Sequence, residues 1–83
     1  MEITLKLGTA LSAYRPADQS KNTFNMNLRE GASAAELLLD LAIPSEQPVM
    51  LIINDELVAP EQRSGHSLKS GDRVSVLTPI HAG

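Results

Sequence analysis

The chain has no cysteine, no tryptophan and only two aromatic residues, Tyr14 and Phe24. Without cysteine it can form no disulfide, no thiolate metal site and no cysteine nucleophile. Without a set of aromatic rings it lacks the surfaces on which binders of single-stranded nucleic acid stack the bases. These absences exclude disulfide-stapled scaffolds and cysteine-based catalysis, and they argue against nucleic acid as a partner.

Positive charge is also scarce, since seven Lys and Arg residues stand against ten Asp and Glu residues and the formal net charge is −3. Nucleic acids and anionic membranes are bound largely through neutralised phosphates, so this balance predicts neither partner. The longest apolar run, Val49–Ile53, is too short to cross a bilayer, and Met1–Leu5 lacks the pattern of a secretory signal. We therefore expect a cytoplasmic protein.

The 83 residues, of which 42% are apolar, predict a single domain over residues 1–83 with one modest core. Polar and apolar residues alternate in Glu2–Leu7 and again in Thr23–Leu28, which predicts two half-buried strands. Residues 8–22 show no sustained period, and residues 15–22 are dense in turn formers and charge. We expect the two strands to form a hairpin around this loop.

A helix is predicted at roughly 34–42. Ser33 and Glu36 have the spacing of a capping box, and Pro44 prevents the helix from continuing. The expected core side of this helix consists of Leu37, Leu38 and Leu41.

The second half of the chain predicts three more strands, which are Val49–Ile53, the brief Glu56–Val58 and Arg73–Leu77. Residues 61–67 are expected to be loop. This order of elements favours an α+β fold in which a mixed sheet of four to five strands packs on one main helix. The order is typical of a β-grasp arrangement, in which the first and last strands are central neighbours.

Conventional catalytic motifs are absent from the sequence. His66 and His81 have no Cys, Asp or Glu at the spacing of metal ligands, so no metal site is predicted. No serine lies in a G-x-S-x-G setting, and the glycines are scattered rather than gathered in a phosphate loop. We expect the domain not to be an enzyme on its own.

The carboxyl-terminal residues, Ile80-His81-Ala82-Gly83, follow directly behind the last strand and Pro79. A flexible tail at about 80–83, ending in a residue without a side chain, can present its carboxylate to the active site of another protein. A chain end without any task fits the same residues. The residues alone leave both interpretations open.

A resemblance to a known family covers nearly the whole chain. It rests on Ile52–Val58, on Leu68–Ile80 with its Leu-x-x-Gly-Asp-x-Val pattern, and on Glu30–Leu38, where a glycine precedes a capped helix. In these segments, and in its terminal glycine, the chain resembles the ThiS/MoaD family of ubiquitin-like β-grasp sulfur carriers. Those proteins serve in thiamine and molybdopterin synthesis.

The resemblance implies a function that partner enzymes carry out. An adenylyltransferase related to ubiquitin-activating enzymes would use ATP to adenylate the Gly83 carboxylate, while the chain itself binds no cofactor. A sulfur donor would then produce a thiocarboxylate, and a sulfur-accepting synthase would receive the sulfur. Ile80, His81 and Ala82 would thread into the partner's cleft, where a residue without a side chain avoids crowding the reacting carbon.

The tail departs from the family pattern at one position, because Ala82 stands where the family has the first glycine of a Gly-Gly pair. Alanine adds a methyl group and disfavours positive φ, so we expect a partner that accepts alanine. His81 and Thr78 also differ from the molybdopterin-type tail.

Docking is expected at the end of the last strand. With Val74 and Val76 inward, alternation turns Leu77 to the solvent side, where it can join an apolar patch that a partner covers. Arg73 and Pro79 are the neighbouring docking candidates, and Arg63 is a second candidate rim charge. The alternative functions are a non-conjugating β-grasp interaction module and a small regulatory subunit bound to a larger enzyme.

Overall fold

The computed structural model describes residues 1–79. The predictions for Ile80, His81, Ala82 and Gly83, including the flexible tail, lie outside the described residues. The strands are β1 (Glu2–Leu7), β2 (Thr23–Asn27), β3 (Met50–Ile53), β4 (Glu56–Val58) and β5 (Arg73–Leu77), and the helix α1 is Ala34–Asp40. Two 3₁₀ helices, Thr9–Tyr14 and Pro60–Gly65, complete the regular structure of this part of the chain.

All five strands belong to one mixed sheet in the order β2-β1-β5-β3-β4. β1 runs parallel to β5, with Leu5 opposite Val74, whereas the β1–β2, β3–β5 and β3–β4 pairs are antiparallel. The first and last strands are therefore central neighbours. The predicted α+β β-grasp fold is confirmed.

The core lies between the inner face of the sheet and α1. Alternation along β1 turns one side of the strand inward, and β5 repeats this pattern. The largest fully buried side chains are Ile3, Leu5, Leu7, Leu11, Leu37, Leu51, Val74 and Val76. Full burial of one such side chain contributes about 1.5–3 kcal/mol, so this layer is the main source of stability.

Both segments predicted as irregular contain a 3₁₀ helix, and the loop prediction for residues 61–67 is wrong over residues 61–65. In the first of these helices Leu11 is completely buried, and Tyr14 packs partly against the core. Such short helices are difficult to predict because they need only one apolar anchor and no sustained hydrophobic period.

The helix begins as predicted and ends two residues early. Ser33 Oγ accepts a hydrogen bond from the Glu36 amide at 3.2 Å, and Glu36 Oε1 accepts one from the Ser33 amide at 3.1 Å, which is a complete capping box. At the other end, the amide of Ala42 donates to Leu39 O and that of Ile43 donates to Leu38 O. This is a Schellman motif, and it places Ala42 at φ 58°.

The Schellman position yields a stability prediction, because an L-residue with a side chain is strained at a positive φ. We expect Ala42→Gly to raise the free energy of unfolding by roughly 0.5–1 kcal/mol in urea denaturation. The matched control is Ala35→Gly inside the helix, which should lower it by about 1 kcal/mol. Destabilisation by Ala42→Gly would contradict the assignment of this cap.

The ion pair of Glu36 with Arg29 makes the stability of the fold depend on pH. The hydrogen bond from the Arg29 guanidinium, the Ser33 amide and the charge of Arg29 hold the pKa of Glu36 below its ordinary value. A carboxylate with a lowered folded-state pKa stabilises the fold above its unfolded pKa, and this contribution is lost as the pH falls through the folded value. Wild type should therefore exceed Glu36→Gln in unfolding free energy at neutral pH, and the difference should shrink towards zero in acid. A difference independent of pH would contradict the ion pair.

Candidate functional site

The outer face of the sheet, opposite the helix, is polar on one half and apolar on the other. β2 and β1 present Thr23, Asn25, Thr4 and Lys6, as their register with each other and with β5 shows. The remaining strands place Met50 opposite Leu77 and Ile52 opposite Leu57. We call Met50, Ile52, Leu57 and Leu77 the outer apolar patch.

The outer apolar patch contains one strongly exposed side chain. Leu57 is 63% exposed, whereas the other three members are half-buried. The outward direction predicted for Leu77 is confirmed, but the side chain is half-buried rather than exposed. Met50 lies opposite Leu77 on the neighbouring strand. Gly8 is also close, because a Cβ atom at that position would be only 3.4 Å from Leu77 Cδ2.

Leu57 was not predicted as a site residue, although the sequence held a signal for it. Leu57 precedes the inward-facing Val58 in a strand, so strict alternation turns its side chain outward. The run Glu56–Val58 is short, and only the pairing of Ile52 with Leu57 shows that this leucine extends a patch.

Arg73, one of the predicted docking residues, is exposed at the start of β5, whereas Leu77 ends the same strand. Four residue steps along the strand separate them by about 13 Å, so the structure does not bring the two side chains together. Arg73 Nη2 instead lies 3.3 Å from Asp55 Oδ2, and its amide donates to Asn54 Oδ1 at 3.0 Å. These contacts tie the β3–β4 turn to β5.

Pro79 is half-buried and is the last described residue. It comes two residues after Leu77, which ends β5 and pairs with Met50 at the start of β3. The outer apolar patch thus borders the point from which the chain continues towards Gly83. Arg63 does not belong to this patch; it lies in the second 3₁₀ helix, which contacts α1, and its Nη2 atom donates to Val49 O at 2.8 Å.

Residues 1–79 contain neither a grouped set of metal-binding side chains nor a helix that could span a membrane. Within residues 1–79, no three or more His, Cys, Asp or Glu side chains are grouped so that they could hold a metal ion. The only α-helix in this part of the chain, Ala34–Asp40, is far too short to cross a bilayer. His66 has a structural contact, because its carbonyl accepts the Ala34 amide at 2.9 Å.

The model of the ThiS family matches residues 14–83. The chain belongs to the ThiS family. This match confirms the resemblance stated from the sequence and supports a general sulfur-carrier role. No curated protein matches the sequence significantly.

Solved structures share the fold at low sequence identity. A putative molybdopterin converting factor subunit 1 from Pyrococcus furiosus superimposes with a TM-score of 0.72 at 18% identity, covering 96% of this chain and 99% of the other. The thiamine biosynthesis protein ThiS from Geobacter metallireducens gives 0.63 at 21% identity, covering 96% and 99%. In a Helicobacter pylori complex of subunits 1 and 2 of molybdopterin-converting factor, the matching chain gives 0.62 at 18% identity and full coverage of both chains.

Proposed function

We propose that this protein is a sulfur carrier whose Gly83 carboxylate is adenylated by a partner enzyme and converted to a thiocarboxylate. The sulfur then enters a cofactor of the molybdopterin or thiamine type. The observation that carries the proposal is the family match, which extends to residue 83. The outer apolar patch, at the point where the last strand leads towards that residue, supports it.

The chemistry requires a reactive end and no catalytic side chain from the carrier. A Gly83 carboxylate oxygen attacks the α-phosphorus of ATP held by the partner, and pyrophosphate leaves. A sulfide equivalent from the sulfur donor then attacks the carbonyl carbon, and AMP leaves with the electron pair of the broken C–O bond. The product is a thiocarboxylate, so the protein is a co-substrate rather than an enzyme.

The outer apolar patch is the docking surface of this proposal. Covering its four side chains removes apolar surface from water, and the polar half of the same face sets the limit of the contact. The Helicobacter pylori structure holds a subunit 1 together with its subunit 2, which supports a protein partner for this chain as well. The adenylyltransferase and the sulfur-accepting synthase would use the patch in turn.

The direct test is the intact mass of the protein after incubation with its adenylating enzyme, ATP and sulfide. We expect the mass to rise by the difference between a sulfur and an oxygen atom. Deletion of Gly83 should abolish this rise while leaving the urea midpoint unchanged, and Ala82→Gly should retain it. If the Gly83 deletion is loaded as well as wild type, the proposal is wrong.

A second test separates the patch from the tail. Leu57 is exposed, so Leu57→Asp should change the unfolding free energy by no more than about 0.5 kcal/mol. It should raise the KM of the adenylating enzyme about tenfold, because a buried apolar contact of an interface is lost. The matched control is Thr23→Asp, on the polar half of the same face, which should leave KM unchanged.

One result would favour the interaction-module alternative: full partner binding by the Gly83 deletion, together with no sulfur loading of wild type. An unchanged KM in Leu57→Asp would instead place the docking surface elsewhere on the domain.

A further inference from the structure

A second concave surface lies on the helix side of the sheet, away from the outer apolar patch. Its volume is about 340 Å³, and α1, the segment that follows it and the second 3₁₀ helix line it. Leu38, Leu39, Ile43, Pro44 and Val49 supply apolar walls. Leu39 is 74% exposed at this surface, so the fold itself leaves the groove uncovered.

In the described part of the chain, Arg63 is the only charged residue that lines the groove. Its Nη2 atom donates to Val49 O at 2.8 Å, while its Nε atom is buried without a hydrogen-bond partner. Among residues 1–79, no carboxylate lies within ion-pair distance of it. A guanidinium has five N–H donors, and within residues 1–79 Arg63 uses only one of them, so the groove is suited to an occupant with a carboxylate.

The groove adjoins the root of the carboxyl-terminal segment. The β3–β5 ladder ends with Met50 opposite Leu77. One further step of the same register would place Val49 and Thr78 about 5 Å apart. Arg63 is hydrogen-bonded to that same Val49. Four residues beyond Pro79 reach as far as about 14 Å when extended, which is enough to carry Gly83 to the guanidinium.

We propose that the groove binds residues 80–83 of the same chain, with the Ile80 side chain against the apolar walls and the Gly83 carboxylate on Arg63. The proposal rests on the proposed function in one respect, that the Gly83 carboxylate is the reactive group. The short tether makes the effective concentration of the carboxylate high, so even a weak contact is populated. Adenylation converts the carboxylate to a mixed anhydride whose negative charge lies on the phosphate of AMP, so the adenylated end no longer offers Arg63 a carboxylate.

The test compares two full-length chains that differ only at the Gly83 carboxyl group. A carboxyl-terminal thioester of the protein is hydrolysed to give the acid, or treated with ammonia to give the neutral carboxamide. Nitrogen-15 NMR follows the Arg63 Nε–H resonance and the heteronuclear NOE of the Ala82 amide. In the acid we expect an Arg63 Nε–H resonance shifted from its position in the carboxamide chain and an Ala82 NOE near that of the strands, whereas the carboxamide should show a low Ala82 NOE.

Two variants of the acid form complete the experiment. Arg63→Gln should reduce the Ala82 NOE to the value in the carboxamide chain. The backbone N–H spectrum of the strands checks that this variant is folded. The matched control is Arg73→Gln, which removes an arginine from the outer face and should leave the Ala82 NOE unchanged. Equal Arg63 and Ala82 signals in the acid and amide chains would overturn the proposal.

The dependence on protein concentration decides whether the contact is internal. Signals independent of concentration support docking within one chain, whereas signals that appear only at high concentration, together with dimer formation, overturn it. The result is distinguishable from a failure of the proposed function. Sulfur loading is read from the intact mass with the partner present, whereas the groove is read from the protein alone.

Discussion

The parallel pairing of β1 with β5 is the contact on which the rest of the structure depends. It joins the first and last strands at the centre of the sheet. The inward side chains along this seam are at most 2% exposed; they are Leu5, Leu7, Val74 and Val76. Parallel neighbours need a long connection, and here that connection supplies α1, both 3₁₀ helices and the remaining strands. Everything else packs around the seam.

This seam also fixes the place from which the chain can act. Because β5 has a neighbour on each side, its position is held by two ladders of hydrogen bonds, and the residues after Leu77 start from a rigid base. Neighbouring strands turn apolar side chains outward at the same end. The proposed function needs this combination, because the partner would bind the domain and receive its last residues in one encounter.

Local patterns in the sequence were sufficient for the elements that repeat a simple period. Alternation in Glu2–Leu7 and Arg73–Leu77 predicted the strands and their buried faces, and the Ser33–Glu36 spacing predicted the start of the helix. These signals are strong because each depends on residues close together in the chain.

The features that sequence reasoning missed depend on contacts between distant residues. Leu11 anchors a 3₁₀ helix only because the core has room for one leucine there. Leu57 belongs to a patch only through its pairing with Ile52, and Arg63 reaches Val49 from a segment predicted as loop. No local period encodes such meetings, so a single sequence does not reveal them.

The two edge strands of the sheet disfavour pairing with the strands of other molecules at high protein concentration. β4 has three residues and is followed by Pro60, while β2 at the other edge is rich in asparagine. Short edges and residues with low strand propensity are poor templates for the strand of another molecule. The protein can therefore keep an apolar surface open for its partners without polymerising into continuous intermolecular sheets.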